Sequence, residues 1–77
     1  MGTIAGFNIE AKKGVEAASN YCKQWKKEID TEGLAIARDY DAGKIGKMLY
    51  NLKREALNAS TRELNRCIAM VNKHVKK

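Results

Sequence analysis

Lys44, Lys47, Asn51, Arg54 and Asn58 recur at helical spacing. At 100° per residue they fall within about 80° of arc, well away from the apolar seam of the same segment. Farther along, Arg62, Arg66, Lys73 and Lys77 fall within about 60°, with Lys76 nearby. Such stripes suit a phosphate backbone. Lys and Arg neutralise its charge, while Asn can donate to phosphate oxygens or to base edges. Tyr50 and Leu57 flank the first stripe. An exposed Tyr50 would stack on a base or dock a partner, and the alternative is packing against the N-terminal arm.

Other chemistry finds no support in the residue types. His74 is the sole histidine and has no Cys, Asp or Glu at ligand spacing. Cys22 and Cys67 lack CxxC or Cys/His spacing and fall on apolar helix faces, which reads as two buried free thiols rather than a metal site or a disulfide. The segment from Asp41 to Lys47 resembles a phosphate-gripping helix start, but a P-loop needs Gly at position 41 and Ser or Thr at 48, where this chain has Asp41 and Met48. Asp39, Asp41 and Gly43 imitate the start of a calcium loop, yet Tyr50 stands where the bidentate Glu belongs. No serine has a base at readable spacing, and no carboxylate pair suggests acid and base roles. The expectation is a non-enzymatic protein without cofactor or metal.

The charge balance points the same way. Lys plus Arg number 15 against 9 acidic residues, a net charge of +6 in 77 residues. Residues 44–77 hold nine basic residues against Glu55 and Glu63, a local balance of +7, whereas residues 31–43 balance at −2. Such a distribution favours nucleic acid, DNA or RNA read with low sequence specificity, or an acidic protein surface. No apolar run approaches a membrane span, and the first residues lack the pattern of a signal peptide. A cytoplasmic protein without a membrane partner is therefore expected.

These residues need a scaffold, and the apolar periodicity predicts an all-α one: a small three-helix bundle in a single domain, with a C-terminal αα-hairpin and a short extended N-terminal arm. Residues 1–8, with Gly2 and Gly6 and no helical period, read as the arm. A first helix over about 9–30 carries the seam Ala11, Val15, Ala18, Cys22, Trp25 and Ile29, and Gly14 weakens it without ending it. Residues 31–41 read as a connection containing a short helix, with Asp41 capping the next one. That helix, about 42–58, has the seam Ile45, Leu49, Leu52, Ala56 and Ala59. Ser60-Thr61-Arg62-Glu63 matches a capping box, so a turn is expected there and a last helix follows over about 61–75 with Leu64, Ile68, Val71 and Val75 inward. An Ala-rich seam makes a thin core, for which homodimerisation is a usual remedy.

The function expected from this is docking on nucleic-acid phosphates, alone or as the small subunit of a nucleoprotein complex. The alternative is a protein-binding adaptor or inhibitor, in the manner of small phage regulatory proteins, acting through the same helical surface.

Overall fold

Thr3 starts the first helix. Its hydroxyl accepts the Gly6 N–H at 3.0 Å and its carbonyl accepts the Phe7 N–H at 2.9 Å, so two free amides of the first turn are satisfied at once. In the computed structural model, which describes residues 1–75, this helix is α1, Ile4–Ala11. The expected extended arm over 1–8 is thus confined to the first three residues. Docking explains the difference: the Thr3 N–H donates to the Tyr21 hydroxyl at 3.0 Å, and Phe7 is buried in the core. Tertiary contacts of this kind sustain a helix too short to persist alone.

Gly14 ends the expected first helix instead of merely weakening it. It sits at φ +134°, outside what other residues readily adopt, and its carbonyl then accepts the Ala18 N–H at 3.1 Å to open α2, Val15–Asp41. This helix runs on through 31–41, where a connection was expected. The inward seam continues as well: Ile36, seven residues beyond Ile29, is 3% exposed. The hydroxyl of Thr31 turns back to the Lys27 carbonyl at 2.9 Å and leaves the ladder intact.

Asp41 is the last residue of α2, not the cap of the next helix. Beyond it the Gly43 N–H bonds to the Tyr40 carbonyl at 3.1 Å and the Lys44 N–H to the Asp39 carbonyl at 2.8 Å. This pair of bonds is a Schellman ending, and Gly43 supplies the left-handed φ of +75° that it requires.

The third helix, α3, spans Lys47–Val75 without interruption. The turn expected near Ser60 is absent, so the hairpin is made by α2 and α3 and not by two halves of residues 42–75. Ser60 keeps its place in the helix because its hydroxyl serves Trp25, whose Nε1–H donates to Ser60 Oγ at 2.9 Å. Thr61 likewise returns its hydroxyl to the Leu57 carbonyl at 2.9 Å. The inward seam of α3 is Leu57, Leu64, Cys67 and Val71. The expected seam over its first half faces outward: Leu49 is 44% exposed, Leu52 61% and Met48 79%.

Among the described residues the protein is all-α, a bundle of three helices. Its main core gathers Phe7 from α1, Ala18, Cys22 and Trp25 from α2, and Leu64, Cys67 and Val71 from α3. Toward the tip of the hairpin Ile36 and Leu57 are also buried, and Tyr40 stacks on Tyr50 with ring centroids 4.4 Å apart. The result is a rod of 48 × 20 × 15 Å with α3 along its length.

Candidate nucleic-acid interface

Because α3 is one helix, the two basic stripes expected on separate helices share one rod, with their centres about 70° apart around it. Taking Leu57, Leu64, Cys67 and Val71 as the inward direction, Asn51, Asn58, Arg62, Arg66 and Lys73 occupy about 80° of arc on the outward side. All five are exposed. Lys47 is exposed on the flank of this face, and Lys44 is exposed in the connection before α3. Arg54 turns toward α2: a Cβ built on Gly33 would lie 3.8 Å from its Nη1. Tyr50 is only half-buried, but its ring is taken by the stack on Tyr40 and is not part of the outward face. Leu57 is a core residue, packed toward α2 and not against the N-terminal segment. Lys76 and Lys77 lie outside the described residues.

Ion pairing separates this face from the rest of the rod. Ion pairs form between the Met1 amino group and Glu28 at 3.9 Å, Lys13 and Glu10 at 3.0 Å, and Lys26 and Asp30 at 3.4 Å. Among the described residues none involves a cation of α3. The sequence explains much of this: no Lys or Arg of α3 has an acid four residues away, only Arg66 has one three residues away, Glu63, and Arg62 stands four residues from Arg66, a like-charge pair that a helix tolerates at a small cost. Glu55 shares the outward arc and Glu63 stands three residues before Arg66, so the face keeps a net positive charge without being free of the chain's own acids.

The continuous helix also brings out a pattern that the expected break at Ser60 concealed. Asn51, Asn58, Asn65 and Asn72 follow one another at intervals of seven, the first directly after the half-buried Tyr50 and the others directly after the seam residues Leu57, Leu64 and Val71, and all four are exposed. Asn65 and Asn72 were missed as candidate site residues. The seven-residue interval was the available signal, and it becomes meaningful only when one helix carries all four.

Cys22 and Cys67 are both buried free thiols in the main core. Burial pushes both thiols up from their ordinary value, and for Cys67 the neighbouring Cys22 and Glu63 add to the rise. Both effects disfavour the thiolate, the nucleophilic form. Among the described residues no cluster of His, Cys, Asp or Glu could hold a metal, and no helix is long and apolar enough to cross a membrane. Comparison of the chain with protein-family models, with curated proteins and with solved structures gives no match.

Proposed function

We propose that this protein is a non-enzymatic, sequence-tolerant nucleic-acid binder that lays the outward face of α3 along phosphates, alone or as the small subunit of a nucleoprotein complex. One observation carries the reading: Lys47, Arg62, Arg66 and Lys73 are exposed along a single helix, none of them ion-paired among the described residues, and they outnumber the one acid on their face, Glu55. Neutralising phosphates releases condensed counterions, which makes a run of unpaired cations productive against nucleic acid.

The test is fluorescence anisotropy with labelled DNA and RNA oligonucleotides across salt. Affinity is expected to fall steeply between about 50 and 200 mM salt. Arg62→Ala and Arg66→Ala should each weaken binding to unrelated sequences alike and lower the salt slope by about 1. Absence of binding to any DNA or RNA at the lowest salt refutes the proposal.

A second reading, binding to an acidic protein, draws on the same cations together with the exposed Met48, Leu49 and Leu52 beside Lys44 and Lys47. Charge and apolar surface together would hold such a partner. Site-specific crosslinking from position 52 in the native host tests it. A stoichiometric protein adduct that disappears with Leu49→Gln supports this reading, and adducts to nucleic acid alone reject it.

A further inference from the structure

Asparagine is a poorer helix former than alanine, and on an exposed helix face it gains nothing from burial. Yet α3 carries four of them in one line, at positions 51, 58, 65 and 72. Among the described residues none of their carboxamides makes a hydrogen bond within the chain. Because the α3 seam keeps a seven-residue rhythm against α2, a line with the same rhythm stays on one rim of the groove between the two helices. The groove residues agree with this placement. Asn58 lines it together with Ile29, Gly33 and Leu57, and Asn72 lines it together with Lys26 and Ile68. Lys23 stands on the opposite rim and Arg54 beside Asn58, while the one acid lining the groove, Asp30, is paired with Lys26 at 3.4 Å. No residue of α1 lines this side, since α1 packs on the other flank beside Tyr21 and Met70.

From this ladder we infer that the groove between α2 and α3 binds an unpaired nucleic-acid strand, with the asparagines on base edges and the flanking Lys and Arg on phosphates. This rests on the nucleic-acid reading above and sharpens it. The chemistry of the carboxamide selects the target: it donates and accepts at once, whereas a phosphate only accepts and would leave the amide oxygen idle. Base edges offer both functions, as adenine does to Asn. Spacing agrees, because seven residues of helix rise about 10.5 Å. That is close to three nucleotides of a stacked strand at about 3.4 Å each. The apolar floor of Ile29, Leu57 and Ile68 can cover base faces. A duplex fits poorly. Its base edges lie within a major groove about 12 Å wide. Because the asparagines stand on the rim beside α2, α2 would have to enter that groove together with α3 for their carboxamides to reach base edges, and the pair is too wide for it. An extended peptide also pairs with carboxamides, but a neutral backbone gives no use to the cations on both rims.

The experiment compares a labelled single strand of mixed sequence with the duplex of the same sequence, at one salt concentration, for the full chain and for Asn58→Ala/Asn65→Ala/Asn72→Ala. The full chain is expected to bind the single strand at least about tenfold more tightly than the duplex. The triple variant is expected to lose about tenfold for the single strand while keeping the salt slope, since no charge is removed. Helicity by circular dichroism should hold or rise because Ala favours the helix, and Asn65→Ala alone should show a smaller loss in the same direction. Equal affinity for duplex, an unchanged triple variant, or displacement of the strand by poly-glutamate at equal charge concentration overturns the inference. Binding to no nucleic acid at all would instead fail the broader reading.

Discussion

The indole Nε1–H of Trp25 donates to the hydroxyl of Ser60 at 2.9 Å, joining the middle of α2 to the middle of α3 across 35 positions of sequence. Trp25 is 1% exposed, so its single polar atom needs a partner, and a small hydroxyl in the facing helix provides one without a long side chain. The same hydroxyl lies 3.2 Å from the Met1 sulfur. Ser60→Ala should therefore cost about 1–2 kcal/mol by leaving the indole unsatisfied. Urea unfolding followed by the fluorescence of Trp25 measures this. Thr61→Pro discriminates further: after a capping Ser60 proline would be welcome, whereas inside a continuous α3 it clashes with the preceding turn and should cost about 3 kcal/mol or more.

A second prediction concerns which stripe of α3 is the core. Leu57 is 6% exposed and Leu52 61%, although both are leucines of one helix. Leu57→Ala should destabilise the fold by about 2–4 kcal/mol, while Leu52→Gln should fall within about 0.5 kcal/mol of the parent. Thermal or urea unfolding of the two variants reads the contrast, and equal costs would mean that the helix is rotated from the position described.

The all-α class and the inward residues Ala18, Cys22 and Trp25 were legible in the sequence because apolar period and tertiary burial agree there, whereas Ala11 and Val15 of the same expected seam are exposed where the break at Gly14 separates α1 from α2. The first half of α3 was not, because two apolar stripes compete over 45–59. The stripe with Leu49 and Leu52 is the more hydrophobic, but the buried one pairs Leu57 with Tyr50 and runs on to Ser60, a polar residue whose role depends on Trp25. Ser60 followed by Glu63 then imitated a helix start and supplied a false break that reconciled the two phases. Gly33 and the acids around it misled in a similar way over 31–41. The cations were legible individually, but only Arg62, Arg66 and Lys73 share the outward face, since Lys47 lies on its flank, Arg54 turns toward α2 and Lys44 precedes the helix.

The buried thiols give the protein an alkaline limit. Desolvation raises the folded value of Cys22 and Cys67 above the ordinary 9.0, so folding favours the neutral thiol and the unfolded chain ionises first. Their contribution is fully present below about pH 9 and is lost as the pH rises through the folded values. Urea midpoints at neutral pH and at about pH 10 should therefore fall more for the parent than for Cys22→Ala/Cys67→Ala, whatever the constant offset caused by the lost packing. Identical pH dependence in the two proteins contradicts this assignment.

Two glycines should respond to the same substitution with opposite sign. Gly33 lies inside α2 in ordinary helical conformation, and a Cβ built there would meet Arg54 and Leu57 at 3.8 Å, a normal contact. Gly33→Ala should stabilise the protein by about 0.5–1 kcal/mol through helix propensity. Gly14 has open space around it but sits at φ +134°, so its constraint is conformational and not steric crowding. Gly14→Ala should destabilise by about 1–2 kcal/mol. Part of that loss should show as release of α1, with weaker protection of the Phe7 amide in hydrogen exchange. If Gly33→Ala instead destabilises, residues 31–41 do not form the continuous helix on which the length of the hairpin depends.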